Sequence, residues 1–231
     1  MTTTMTTAMS SAIPTAIPTA AQLSDIELAA LVSSKICHDV IGPVGAIHNG
    51  LEILDEDDDA DAKSYALDVI RNVTEQASAR LQFARFAFGA AGSAGAMIDL
   101  QTAEQISRGF IGKGKHVLEW SVPAGHLPKN LVKLLLNLVA NAPMALPRGG
   151  TITVQHDGSM ETPTFVLRCA GPRARPPKYL TDFLLGGAAP DLDAMSVQAY
   201  YTCRLAQTAT MRLEILEDGA DILLVARPMS D

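Results

Sequence analysis

The chain has 231 residues, a formal net charge of −7 and an isoelectric point near 5.2. Hydrophobic residues make up 48% of it, which is enough for a buried core, while its acidity argues against the basic surface that a nucleic-acid binder needs. The three cysteines (Cys37, Cys169 and Cys203) are far apart and form no CxxC pair, so we expect no disulfide framework, no zinc site and a cytoplasmic location.

The first 22 residues, MTTTMTTAMSSAIPTAIPTAAQ, have no basic segment and no continuous apolar core, and are not expected to be a signal peptide. Their threonine, alanine and proline content predicts a disordered lead-in over residues 1–22. The sequence contains no run of about 18 or more apolar residues, so we expect no membrane-spanning helix.

Two long helices are predicted next, over residues 24–55 and 61–89. In the second helix, apolar and small residues recur at a spacing of three or four positions. The acidic connector from Asp55 to Asp61 is predicted to be a solvated loop. Two helices with a short connector form an antiparallel hairpin, and such hairpins commonly dimerise into a four-helix bundle to complete their core. Residues 23–90 are therefore predicted to be a dimerising hairpin.

The small, flexible residues 89–97 (GAAGSAGAM) indicate a domain boundary, with a second domain over 97–231. Its predicted helices and strands alternate, and together they indicate helices packed on one face of a mostly antiparallel sheet, an α/β sandwich in an α+β fold. The predicted helices cover residues 99–112, 129–145, 177–185 and 195–208, and the predicted strands cover 116–122, 151–156, 164–170, 211–217 and 220–227.

His38 lies on the first predicted helix, in the segment KICHDVIGPVGAIHNGLEIL. On a helical wheel, one apolar stripe lies opposite His38, formed by Val40, Val44, Ile47, Leu51 and Leu54. Small and polar residues lie on the side of His38, namely Gly42, Gly45, Asn49 and Glu52. A glycine inside a helix lowers its stability by about 0.5–1 kcal/mol relative to alanine. A need for space, so that a partner protein can approach the imidazole, would explain the presence of both Gly42 and Gly45. Pro43 adds a local bend just after His38.

The same pattern is compatible with an ordinary surface histidine on a weak helix. Asp39 is interpreted either as a weak surface pair with Lys35, four residues earlier, or as the group that orients the His38 ring and leaves one nitrogen nucleophilic. If His38 is functional, we expect a partner to dock around it, on a surface that we call the docking face, although each of its members could be an ordinary helix-surface residue. The docking face consists of Lys35, Ile41, Gly42, Gly45, Asn49 and Glu52.

The pattern His38-Asp39-x-x-x-Pro43 resembles the H-box of sensor histidine kinases, which lies on the first helix of a dimerisation and phosphotransfer hairpin. The later segment LLLNLVANAPMALPRGGTITV resembles the N-box of the kinase ATP-binding domain, with Asn137, Asn141 and a Gly149-Gly150 pair before a strand. The two motifs in this order imply a histidine-kinase-like hairpin followed by an ATP-binding-like domain.

Departures from the kinase pattern concern the nucleotide site. The Asp-x-Gly-x-Gly turn, whose aspartate reads adenine, is matched by Cys169-Ala170-Gly171-Pro172-Arg173, and a thiol does not replace a carboxylate acceptor. The glycine-rich turn that holds phosphates at a helix start is matched by a segment that carries Asp191 and Asp193 instead. Asn141, which helps to hold magnesium in the kinases, is then expected to be a structural remnant. We expect the chain to bind neither ATP nor a metal.

A chain that keeps the hairpin histidine without the nucleotide motifs resembles the ChpT family of histidine phosphotransferases of alphaproteobacteria, which the segments GPVGAIHNGLEILDE and FARFAFGA also fit. The resemblance implies a homodimer and a phosphorelay in which His38 accepts a phosphoryl group from the receiver of a CckA-like hybrid kinase. It implies donation to CtrA-like and CpdR-like response regulators that control the cell cycle, with the receiver expected to bring Mg²⁺. Two alternatives stay open, an active kinase with an unusual nucleotide pocket and a non-catalytic adaptor or inhibitor.

Overall fold

A computed structural model of the chain describes residues 23–56, 59–89, 95–185 and 192–229. The predicted disordered lead-in, two positions of the acidic connector and most of the predicted domain boundary lie outside the described residues. Among the helices that the structure describes, none has both the length and the apolar character needed to cross a membrane.

The N-terminal part is the predicted antiparallel hairpin, made of α1 (Asp25–Glu56) and α2 (Ala60–Ala87). A capping box starts α1, because the Ser24 backbone N–H donates to the Glu27 carboxylate at 2.9 Å and the Glu27 N–H donates to the Ser24 hydroxyl at 3.3 Å. The Asp59 side chain accepts the Asp61 N–H at the start of α2. These caps satisfy backbone donors that a helix start leaves without partners, and they define the two ends of the hairpin.

The face of α1 that packs against α2 differs from the predicted apolar stripe. The buried residues of α1 are Pro43 and Gly50. A Cβ at Gly50 would lie 2.7 Å from the Ile70 Cγ1, so the glycine allows the two helices to approach closely there. Of the predicted stripe, Val44 and Leu51 are 53% and 47% exposed. The stripe therefore points partly away from α2.

The C-terminal region reproduces every predicted helix and strand to within two residues at each end. Its described helices are α3 (Leu100–Ile111), α4 (Lys129–Ala145), α5 (Lys178–Leu184) and α6 (Val197–Thr208). Its described strands are β1 (Met97–Asp99), β2 (His116–Ser121), β3 (His126–Pro128), β4 (Gly150–Asp157), β5 (Thr164–Ala170), β6 (Met211–Asp218) and β7 (Asp221–Pro228). The strands β1 and β3 were not predicted, since three residues are too few to show an alternating pattern.

A five-stranded sheet in the order β2-β4-β5-β7-β6 forms the centre of this region. The pair β2–β4 is parallel and the other three pairs are antiparallel, which confirms the mostly antiparallel prediction. Along β5 burial alternates, with Phe165, Leu167 and Cys169 buried toward the helices and the intervening residues half-buried. The core lies between this face and α4, whose central residues from 132 to 139 are all buried.

Candidate functional site

His38 lies in the middle of α1, and its side chain is 63% exposed to solvent. The nearest carboxylate oxygen is Asp39 Oδ1, which stands 3.7 Å from His38 Nδ1. That distance is beyond hydrogen-bond reach, so the two side chains face each other without a direct hydrogen bond. The carboxylate acts on the ring through its charge, on the Nδ1 side, and leaves Nε2 on the opposite edge of the ring.

Lys35 holds the Asp39 side chain in place. The Lys35 ammonium donates to Asp39 Oδ2 one helical turn away. The lysine side chain is only 17% exposed, so it is less available to a partner than the other members of the docking face. The surface pair that sequence spacing suggested is present, and it keeps a negative charge beside His38.

The rest of the docking face is open to solvent. Ile41 is 71% exposed, although its side chain is apolar. A Cβ added at Gly42 or Gly45 would meet no atom within 4 Å, so nothing inside the chain requires glycine there. Asn49 and Glu52 are exposed and line a shallow depression one to two turns beyond the glycines. Apart from Lys35, the predicted docking residues are exposed, as His38 is.

The two asparagines of the N-box-like segment point into the core. Asn137 is fully buried, and its Nδ2 donates to the Ala87 carbonyl at 3.0 Å and to the Lys133 carbonyl at 2.8 Å. Its Oδ1 accepts a hydrogen bond from Gln198 on α6. Asn137 therefore joins the end of α2 to α4 and α6.

Asn141 is also buried, and its Nδ2 donates to the Asn137 carbonyl at 2.8 Å and to the Thr202 hydroxyl at 2.9 Å. Its Oδ1 is buried without a hydrogen-bond partner among the described residues. No group of three or more histidine, cysteine or acidic residues converges in the described part of the chain.

The segment from Cys169 to Arg173 keeps the backbone of a glycine turn, but a thiol stands where the Asp-x-Gly-x-Gly turn has its aspartate. A Cβ at Gly171 would lie 2.4 Å from the Gly149 carbonyl oxygen, so glycine is required where the ends of β4 and β5 meet. Arg173 has a φ of 59°, a left-handed conformation that glycine adopts without strain. Burial raises the pKa of Cys169 to about 12, so its thiol stays neutral in the core.

A carboxylate lies in the turn just before α6. Asp193 Oδ1 accepts the backbone N–H groups of Met195 at 2.9 Å and Ser196 at 2.8 Å. Hydrogen bonds from Ser196 and Met195 lower the pKa of Asp193 and keep it ionised. An anionic ligand at this helix start would meet that negative charge. Asp191, the second predicted aspartate, lies outside the described residues.

Further contacts fix the hairpin against the C-terminal region. The Lys133 ammonium reaches the Phe88 carbonyl at 3.4 Å, and burial together with the charge of Lys129 lowers the pKa of Lys133. The Leu23 N–H donates to the Tyr200 hydroxyl at 2.9 Å. The rings of Phe83 and Phe110 stack with their centroids 3.9 Å apart. Sequence reasoning missed these contacts, because they join residues that are distant along the chain.

The family described as "Histidine phosphotransferase C-terminal domain" matches residues 100–221. Protein phosphotransferase ChpT of Brucella abortus (strain 2308) is 46% identical over 207 residues, which cover 88% of this chain and 97% of that protein.

One solved structure agrees with this relationship. A structure described as a bacterial phosphotransferase superposes with a TM-score of 0.83 and 42% identity, over 89% of this chain and 98% of that chain. A histidine kinase, ThkA, in complex with the response regulator protein TrrA, aligns at 14% identity with a TM-score of 0.47, over 89% of this chain and 63% of that chain.

The Asn137 network generates a stability prediction. Replacing Asn137 with alanine leaves the Ala87 carbonyl and the Gln198 amide buried without their partner. We expect Asn137→Ala to lower the free energy of unfolding by roughly 1–3 kcal/mol, measured by urea denaturation followed by circular dichroism. Asn72→Ala, at an exposed position on α2, is the control and should change it by less than about 0.5 kcal/mol. Equal midpoints for the two variants would contradict the role of Asn137.

Proposed function

Because the chain belongs to the family of histidine phosphotransferases, we propose that His38 is the residue that carries the phosphoryl group in a phosphorelay. The observation that carries this proposal is the exposed imidazole on α1, with a carboxylate on its Nδ1 side and cleared space around it. An ordinary surface histidine needs no such clearing, and two glycines there weaken the helix.

The proposed reaction is an in-line phosphoryl transfer. The Nε2 lone pair of His38 attacks the phosphorus of a receiver aspartyl phosphate, the P–O bond to that aspartate breaks, and the carboxylate leaves with the electron pair. The phosphorylated ring keeps its Nδ1–H and gains positive charge, which the Asp39 carboxylate 3.7 Å away offsets. The reverse step passes the group to another receiver. Such transfer depends on positioning and charge more than on covalent help from the protein.

The phosphoryl group comes from another protein and not from ATP bound by this chain. Three observations support this: the N-box-like asparagines donate to groups inside the core, Cys169 is a buried neutral thiol, and Asp193 places a carboxylate in the turn just before α6. A nucleotide would require these groups to exchange their present partners. The active-kinase alternative lacks any such support.

The partners proposed are receiver domains, with the donor on a CckA-like hybrid kinase and the acceptors on CtrA-like and CpdR-like regulators. Phosphoryl transfer needs a divalent ion to neutralise charge, so the receiver brings the Mg²⁺. The three cysteines are unpaired, which suits the reducing cytoplasm in which we place the exchange. Receivers dock on the face around His38, where Ile41 offers an exposed apolar contact.

The hairpin functions as a homodimer. Exposed apolar residues lie seven positions apart on α1, at Val44 and Leu51. On α2 they lie fourteen positions apart, which is twice that spacing, at Leu67 and Leu81. Seven-residue spacing forms a straight seam along a helix that packs beside another. Pairing of these seams between two copies completes a four-helix bundle, with one His38 on each protomer.

One prediction of the proposed function concerns His38 itself. Incubation with a receiver phosphorylated on aspartate is expected to give an acid-labile, base-stable label on this protein, and incubation with labelled ATP alone is expected to give none. His38→Ala should abolish the label, because the nucleophile is gone, while circular dichroism and molecular mass stay unchanged. His48→Ala, on the same helix and also exposed, is the control and should keep the label.

Three outcomes would count against the proposal. Label on His38→Ala would place the phosphoryl group elsewhere. Label from ATP alone would favour the active-kinase alternative. No label from any phosphorylated receiver, with stable receiver binding, would favour the adaptor.

A second prediction concerns the two glycines beside His38. Gly42→Ala and Gly45→Ala should each stabilise the fold by about 0.5–1 kcal/mol, because alanine favours the helix and the added methyl meets nothing within the chain. Both should slow label uptake severalfold, because the methyl intrudes on a docked receiver. Gly114→Ala, in the loop before β2, also adds its methyl to open space and should leave uptake unchanged. Uptake at the wild-type rate in both helix variants would show that the glycines do not serve access.

A third prediction concerns the dimer. Light scattering should give about twice the 24.4 kDa of one chain. The double variant Leu51→Glu, Leu81→Glu should give the mass of one chain, because burying the added charges across the seam is unfavourable. Val117→Glu, on the edge strand β2 and 57% exposed, is the control and should remain a dimer. A wild-type mass of one chain at micromolar concentration would contradict the proposal.

A further inference from the structure

Pro43 leaves one backbone carbonyl of α1 without its helical donor. In an α-helix the N–H of each residue donates to the carbonyl four residues earlier, so the N–H that Pro43 lacks is the one that would bond to Asp39. The proline ring also presses against that same carbonyl. A carbonyl inside a packed helix needs another donor, and this one belongs to the residue directly after His38.

Arg80 on α2 supplies the donor. Its Nη1 donates to the Asp39 carbonyl oxygen at 2.7 Å, across the hairpin. A guanidinium donor makes a short, charge-assisted hydrogen bond. Pro43 is buried on the face that contacts α2, so Pro43 and the Arg80 guanidinium lie on the same side of α1.

We infer that Arg80 is a positioning residue for phosphoryl transfer, which holds the carbonyl freed by Pro43 and thereby fixes the α1 backbone beneath His38. The inference rests on the proposed function of His38. Because the imidazole is 63% exposed, the backbone of α1 determines where its reactive nitrogen stands. Arg80 acts through that backbone and does not touch the phosphoryl group.

A second role for Arg80 would give different results. Arg80 also lines the cleft between α2 and the end of α3, together with Arg108 and Lys113. A charge that attracted the acidic surface of a receiver would change how tightly the receiver binds. A positioning residue changes the rate after the receiver has bound.

The kinetic experiment uses the full chain and a phosphorylated receiver at several concentrations. Arg80→Met should lower the transfer rate at saturating receiver by about 10- to 100-fold, the scale of a misplaced reactive group, and leave the half-saturating concentration unchanged. Arg80→Lys keeps a charged donor and should recover part of the rate. Arg71→Met, at an exposed position on α2 whose arginine pairs only locally with Asp68, should match the wild type. Wild-type transfer by Arg80→Met, or a loss confined to the half-saturating concentration, would overturn the inference.

A double-mutant cycle tests the link to Pro43. Pro43→Ala restores a backbone N–H that reaches the Asp39 carbonyl, so Arg80 becomes redundant. In the wild-type background, which keeps Pro43, we expect Arg80→Met to raise the equilibrium constant for unfolding about tenfold. In the Pro43→Ala background, the same substitution should raise that constant less than about threefold. An equal effect in both backgrounds would show that Arg80 does not serve this carbonyl.

The two proposals fail in different ways. The unfolding cycle needs no phosphoryl transfer, so it reports on Arg80 whatever His38 does. A wild-type protein that takes no label refutes the role of His38. A wild type that takes label as slowly as Arg80→Met, or an unfolding cycle without coupling, refutes the role of Arg80 alone.

Discussion

The buried side chain of Asn137 is the interaction on which the arrangement of the molecule depends. One amide binds the carbonyl at the end of α2, the backbone of its own helix and the Gln198 side chain of α6. Each of these groups is inside the core, where an unpaired polar atom costs more than its hydrogen bond contributes in water. Moving α2, α4 or α6 away from the others would therefore break this network, and the network holds the hairpin that carries His38 on the C-terminal region. The stacked rings of Phe83 and Phe110 reinforce the same junction.

The same junction uses both asparagines of the N-box-like segment. Asn137 and Asn141 face α2 and α6. A network that is closed in this way resists opening, because admitting a solvated nucleotide would expose several buried groups at once. The neutral thiol of Cys169 and the ionised Asp193 act in the same direction. The described contacts hold the C-terminal region against the hairpin.

Around His38 the hairpin combines features that weaken a helix with contacts that compensate for them. Gly42, Gly45 and Pro43 each lower the stability of α1. The compensation comes from α2, which covers Pro43 and approaches closely at Gly50. The face toward α2 is thus tightly packed, while the face that carries His38 stays clear for a partner. The division follows from the helix geometry, since residues three or four apart share a face and the two glycines lie on the side of the imidazole.

Sequence patterns predicted nearly all of the fold, because a regular hydrophobic periodicity identifies a helix or strand from its own residues. The wheel also placed His38 and its glycines on an open face. It could not tell which side of α1 faces α2, since Pro43 and Gly50 carry no hydrophobic signal, and it could not tell that Asn137 faces inward. Arg80 lies 41 positions from Asp39, too far for any local pattern. The sequence does reveal the acceptor of that contact, because a proline inside a helix leaves the carbonyl four residues earlier without its helical donor. What the fold adds is the identity of that donor, and with it a reason for an arginine on the second helix at the level of the histidine.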